Sequence, residues 1–360
     1  MVKFRMKYIG ENLVHSKNAG SKARTDIETI LHGKYDCLFN INAMPTSGSA
    51  IKNILRKVKY FVQPDNLKSI YELKKRYHTT IILQYPFYYN RIHNQFARKF
   101  IENNNVIIFI HDIDSLRHFG NANLENEITL LNKARVVVVH NHFMKDILRS
   151  HGLTTEVVEL ELFDYILNKE PDNSQGRIHF GNQIVFAGNL QKSGFLPLLA
   201  NVDDKLTWNL YGNGIPSSLK DKSNIHWKGS YGPDEVPFML EGSFGLVWDG
   251  NSLDGCKGSM GNYLKYNNPH KLSLYIASGL PVITWSEAAI AEFVKKERIG
   301  FCVKSLTDIP AILAGLTDEE YDNYIRNIKV LQRRVIHGFY THKALEEINR
   351  FITGESVSMK

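Results

Sequence analysis

Asn267-Asn268-Pro269-His270-Lys271-Leu272-Ser273-Leu274-Tyr275-Ile276-Ala277-Ser278-Gly279-Leu280-Pro281-Val282-Ile283 reads as a capped helix feeding a strand. Asn268 is a good N-cap, and Pro269 suits the first helical position, where its missing N–H costs nothing. Gly279 suits the position just past the helix, where left-handed backbone closes the last turn. Pro281-Val282-Ile283 then starts a β-branched run. A helix start offers unpaired N–H groups and partial positive charge, which suits a phosphate. Lys271 falls in that first turn, where a cation opposes the helix dipole. An anion held there removes the conflict; a lysine turned to solvent on an ordinary capped helix is the other reading.

Working outward, the same strand–helix rhythm continues on both sides. Gln183 to Ala187 is a strand ending in Gly188, Leu206 to Tyr211 one ending in Gly212, and Phe244 to Trp248 one ending in Asp249. Ile290 to Val294 lies on a short helix. From Asp318 to Phe351 the chain is helical, with Tyr321, Ile325, Ile328 and Leu331 on one stripe. Before Asn168 the strands are Tyr35 to Phe39, Thr80 to Leu83, Val106 to His111 and Val136 to His140. Helical spacing separates them: Ile27, Ile30 and Leu31; Phe96, Phe100 and Ile101; Ile128, Leu130 and Leu131. Continuous apolar strands between helices mean a parallel sheet covered on both faces. Asn168 to Gly176, polar with Pro and Gly, is the linker between two α/β halves.

At 360 residues the chain has the length of about two domains. Its three cysteines, Cys37, Cys256 and Cys302, are scattered and show no zinc spacing, which fits a reducing compartment. The N-terminus lacks a signal-peptide run, and no apolar run is long enough to span a bilayer. A cytoplasmic protein is expected. The net charge of +7 is modest, and no basic motif interleaved with aromatics points to nucleic acid. Residues 51–76 are rich in Lys and Arg, with Ile51, Ile54, Leu55 and Val58 making an apolar face. Peripheral membrane contact is one reading of such a helix; packing on its own core is the other.

The capped helix followed by Ala277-x-Gly279-x-Pro281-Val282-Ile283 resembles the donor half of GT-B glycosyltransferases. The Asn-Pro-His-Lys-Leu-Ser-Leu-Tyr variant is similar to a bacterial family of glucosyltransferase-3-like and β-1,6-galactofuranosyltransferase-like enzymes. The resemblance implies two Rossmann-like doubly wound domains facing across a cleft, with C-terminal helices crossing back. On that plan residues 1–168 are the acceptor-side domain and 169–177 the linker. Residues 178–335 form the nucleotide-sugar domain, and 336–360 the returning helix. It also implies a hexosyltransferase that uses a UDP-sugar as co-substrate, with no metal and no other cofactor. Asn268, Pro269, His270, Lys271 and Leu272 would then lie near the diphosphate. The acceptor would be a glycan on a protein or lipid carrier, and the enzyme a homo-oligomer, dimer or tetramer.

Other strand ends carry weaker likenesses. Gly188 to Lys192 is similar to a Gly-x-Leu-x-Lys phosphate stretch, and Tyr211-Gly212 to a turn beneath the donor base. Trp227-Lys228-Gly229-Ser230-Tyr231 is similar to a base-reading loop, and Asp249 ends the neighbouring strand. Each is also read as an ordinary turn, with Trp227 as a core residue. Asn18 to Gly20 resembles the loop that approaches the donor from the other domain. His111-Asp112 at a strand end supplies candidates for the base that deprotonates an acceptor hydroxyl; Asp112 as a helix cap is the plain alternative. Asp112-Ile113-Asp114 also spells the Asp-x-Asp motif of metal-dependent GT-A transferases, a competing reading, as is a catalytically silent GT-B chaperone. Many retaining GT-B enzymes carry a pair of glutamates around this helix; here Glu287 and Glu292 both follow it and none stands at its start, which places the chain outside that pattern. The stereochemistry stays open.

Overall fold

A computed structural model describes residues 6–12, 21–42, 63–87, 91–117, 122–173 and 176–354. Asn18, Gly20 and the first part of the basic stretch lie outside them. The first sheet comprises β1 (Lys7–Asn12), β2 (Asp36–Asn42), β3 (Thr80–Tyr85), β4 (Asn105–Ile110), β5 (Val136–Val139) and β6 (Glu156–Glu159), in the order β2-β1-β3-β4-β5-β6. The second comprises β7 (Gln183–Ala187), β8 (Thr207–Tyr211), β9 (Ile225–Gly229), β10 (Phe244–Val247), β11 (Val282–Trp285) and β12 (Gly300–Val303), in the order β12-β11-β10-β7-β8-β9. Every pairing is parallel. The second sheet has the dinucleotide-fold order 3-2-1-4-5-6, with its switch point between β7 and β10. The first follows the flavodoxin-like order, with its switch point between β1 and β3.

Val136 to Val139 shows why the strands form: all four residues are buried, as a sheet covered on both faces requires. The helix His270–Ser278 buries every side chain from Leu272 to Ser278. Its Tyr275 ring lies flat on Gly245 of β10, where any Cβ would approach within 2.3 Å. The Tyr275 hydroxyl donates to Leu246 O and accepts from Ala187 N–H, so one side chain ties the helix to both strands at the switch point. Gly279 is left-handed, at φ 83°, and the N–H of Leu280 closes on Tyr275 O. The helix Asp318–Ile336 starts in a Thr317/Glu320 capping box. It lays Tyr321, Ile328 and Leu331 inward, while Gln332 donates to Ala277 O. At Gly338 the chain turns, and the helix Phe339–Thr353 packs on β6 and on the helix Lys22–His32 of the first sheet. The C-terminal helices therefore cross back.

Four strands gave little sequence signal. β1 carries Gly10 with Lys7 and Glu11, β6 sets two valines between glutamates, and β6, β9 and β12 are edge strands. Edges bury less and so need fewer apolar residues.

Candidate active site

Gly188 follows β7, and Trp248-Asp249 follow β10, so both flank the switch point of the second sheet. Lys271 points into that crevice. Its ammonium lies 3.6 Å from the Asp249 carboxylate and 5.2 Å from the centre of the Phe186 ring. A Cβ on Gly188 would come within 3.2 Å of the Lys271 stem. The lysine is about a fifth exposed, so the solvent-facing reading fails. In the structure Asp249 answers the charge that opposes the helix dipole.

Three glycines line adjacent strand ends. Gly212, at φ 138°, passes so close to Gly188 that a Cβ would sit 1.8 Å from Gly188 O. Gly188 N–H donates to Tyr211 O, and Gly212 N–H to Gly229 O. Trp227 donates from Nε1 to Gly212 O and is 54% exposed, so it is not a core tryptophan. Tyr231 folds over Gly229 and donates to Lys228 O. Polar backbone and exposed aromatic surface therefore meet beside the Lys271 crevice.

Several sequence expectations change here. The N-cap is Pro269, and His270 is the first helical residue. The Asn268 side chain caps nothing; it donates to His140 O and Glu161 O and accepts from Asn141. Leu272 is core, with its N–H bonded to Pro269 O. His270 turns away from the crevice to stack on Tyr165, with Nε2 near Asp164 O, and burial pushes its pKa down to about 4. Tyr211 is buried, with its hydroxyl accepting from Glu241 N–H. Lys228 pairs with Glu241 at 3.2 Å. Lys192 is exposed, and its backbone N–H bonds Asn189 Oδ1.

On the facing side, His111 and Asp112 follow β4. His111 is buried, with Nε2 2.7 Å from Gln84 Oε1 and its ring stacked on Phe163. Burial, then the nearby Arg24 charge, holds its pKa well below the ordinary range. Asp112 is a quarter exposed and binds Arg117 at 2.6 Å. Burial pushes its pKa up to about 6 against that pull. It caps no helix, since turns follow it. Asp114 sits beside Glu127, which accepts from Asp114 N–H, Ser115 N–H and Tyr85 Oη. Two complete Rossmann-like sheets replace the GT-A alternative.

The contacts between the sheets were missed in the sequence. Lys22 is buried and reaches Asp26 at 2.7 Å, Ile166 O at 2.9 Å and Asp234 at 2.8 Å. Tyr165 donates to Pro233 O, and Ser273 to Phe163 O. Asn268 N–H donates to His140 Nδ1 at 3.0 Å. The cross-domain bonds join residues far apart in the chain, so local spacing gave no sign of them.

Family models described as glucosyltransferase 3-like match the chain twice: the N-terminal domain at residues 6–162 and the C-terminal domain at 184–348. The β-1,6-galactofuranosyltransferase WbbI of Escherichia coli K12 is 28% identical over 356 residues, 95% of this chain and 98% of its own. Glucosyltransferase 3 of Streptococcus gordonii is 27% identical, over 75% of this chain and 78% of its own. Among solved structures, Anabaena HepE in complex with UDP-glucose aligns with a TM-score of 0.59 at 12% identity, over 95% of this chain and 99% of that one. The sucrose-phosphate synthase of Thermosynechococcus elongatus aligns at 0.60 and 12%, over 98% and 100%. The shared arrangement of two facing sheets is the GT-B fold.

Proposed function

Because the chain belongs to the glucosyltransferase 3-like family of GT-B glycosyltransferases, we propose that it moves glucose or galactofuranose from a UDP-sugar to a glycan hydroxyl. The acceptor is carried on a protein or a lipid. The observation behind this reading is the Lys271 ammonium on the first helical turn, turned into the switch-point crevice against Gly188. The helix start and Lys271 stabilise the leaving diphosphate in place of a metal ion. Asp249 gives up its pairing with Lys271 when the diphosphate arrives. Gly188, Gly212 and Gly229 let backbone approach the nucleotide, and Trp227 and Tyr231 offer rings to the base.

Asp112 is the better base. His111 has Nε2 committed to Gln84 and its ring face covered by Phe163, whereas Asp112 keeps accessible surface. Its raised pKa places it closer to the working range of a proton acceptor. In the reaction the acceptor oxygen bonds to the anomeric carbon as the bond to the β-phosphate oxygen breaks. UDP leaves with the electron pair, and the acceptor proton passes to Asp112. This is a direct displacement with inversion.

A cytoplasmic location, a homo-oligomer and peripheral membrane contact belong to the same proposal. Among the described residues no helix is long and apolar enough to cross a membrane. The helix Pro64–Glu72 carries exposed Leu67 and Tyr71 beside Lys68, which favours a membrane-facing or acceptor-facing surface. Release of UDP from UDP-glucose and UDP-galactofuranose, with and without EDTA, tests the core reading. Turnover of one donor, indifferent to EDTA, is expected; turnover abolished by EDTA and restored by a divalent cation contradicts it.

A further inference from the structure

Asp249 is an acidic residue in a crevice suited to an anion. Its carboxylate follows β10 at the switch point, 3.6 Å from the Lys271 ammonium, and each side chain keeps about a fifth of its surface accessible. That separation is longer than a hydrogen-bonded ion pair, so the two charges face each other loosely. The backbone around the carboxylate is held firmly. Trp248, fully buried, donates from Nε1 to Ser252 O. Gly250 N–H donates to Asp249 Oδ1 at 2.9 Å, and Gly250 O accepts from Phe195 N–H at 3.1 Å. Gly250 has φ 94°, and a Cβ there would lie 2.0 Å from Lys257 O. One carboxylate oxygen is thus anchored to backbone, while Oδ2 faces Lys271.

A diphosphate held by Lys271 brings two anions together. Carboxylate and phosphate repel at such range, and the Lys271–Asp249 pairing must also yield. UDP alone bears this cost without return. In a UDP-sugar the sugar is bonded to the β-phosphate, so its hydroxyls are the first hydrogen-bond donors beyond the diphosphate. A carboxylate only accepts, and hydrogen bonds to a charged acceptor are the stronger kind. We infer that Asp249 is a specificity-determining residue: its Oδ2 accepts donor-sugar hydroxyls, which raises the preference of the crevice for an intact nucleotide sugar relative to UDP. The inference rests on the reading of the Lys271 crevice as the diphosphate site. It carries a consequence for turnover. Once the sugar has been transferred, the carboxylate is left without its donors and repels the diphosphate, which favours release of UDP.

Asp249→Asn keeps the oxygen that accepts from Gly250 N–H and removes the charge, and Asp249→Ala removes the contact altogether. The measurement is titration calorimetry of UDP, UDP-glucose and UDP-galactofuranose into the full-length protein in EDTA, for wild type, both variants and Lys271→Ala. In Asp249→Asn, UDP should bind as tightly as in wild type or more tightly, while the UDP-sugar loses affinity. The ratio of their dissociation constants should shift about tenfold, and in the same direction in Asp249→Ala. An unshifted ratio in the folded variants overturns the inference, as does an equal loss for UDP and UDP-sugar. Magnesium that tightens UDP binding in wild type but not in Asp249→Asn overturns it too, since Asp249 would then be a metal ligand. Lys271→Ala separates the two readings. Undiminished UDP affinity there removes the diphosphate from the crevice and the inference with it. Weakened UDP binding there, beside an unshifted ratio in the Asp249 variants, overturns the inference and leaves the diphosphate site standing.

Discussion

Lys271 stands where a cation is unwelcome, at the positive end of a helix dipole, and Asp249 offsets it at 3.6 Å. The pair is partly exposed, so its net worth to folding is small, on the order of 1 kcal/mol or less. Lys271→Gln should therefore change urea stability of the free protein by less than about 1 kcal/mol. A large loss would mark Lys271 as a structural residue. His140 is the opposite case, a residue used wholly by the fold. Its Nδ1 accepts from Asn268 N–H and its Nε2 faces Ile110 O at 3.2 Å, so it is held neutral. Burial lowers its pKa from 6.5 to about 4. Between those values the unfolded chain binds more protons than the folded one, so this contribution is full above pH 6.5 and is lost as pH falls towards 4. Asp112 and Asp164, both raised to about 6 by burial, act in the reverse direction but are common to wild type and variant. The stability gap between wild type and His140→Gln, measured by urea at pH 7 and pH 5, should narrow by about 2 kcal/mol. A constant gap would show that His140 titrates alike in both states.

Among elements, the helix His270–Ser278 was the most legible, and its first turn was also where the sequence misled. Gly279, the strand after it and the placement of Lys271 follow from capping and dipole rules that act over a few residues. Asn268 satisfies the same local rule for an N-cap, yet its side chain serves partners more than a hundred residues away. A long-range bond leaves no periodic trace, so the commoner local role was read in its place. The two roles make different predictions. Aspartate caps helices as well as asparagine does, but it cannot donate to His140 O and Glu161 O. Asn268→Asp should therefore lose stability about as severely as Asn268→Ala, roughly 2–4 kcal/mol from buried groups left unpaired. A well-tolerated Asn268→Asp would restore the capping role.

At the scale of the molecule, two parallel sheets were readable because buried parallel strands are continuous apolar runs. The chain crossing from the last helices back to the first sheet was legible only through family likeness. The cleft itself was partly legible. Strand ends such as Gly188, Gly212 and Asp249 were found because turns need glycine and polar residues. Which of their side chains face the cleft depends on tertiary packing, and for Tyr211, His270 and Leu272 that packing took them out of it. Lys22, Asp234, Asn268 and Tyr263 join the two domains, and on the proposed reading the Lys271 crevice and Asp112 serve one site. In this reading the UDP diphosphate lies against Lys271. Titration calorimetry of UDP into the wild-type protein and Lys271→Ala tests it directly: binding to wild type, with an affinity at least about tenfold weaker in the variant, is the expected result. Equal affinity in a folded Lys271→Ala protein would contradict it.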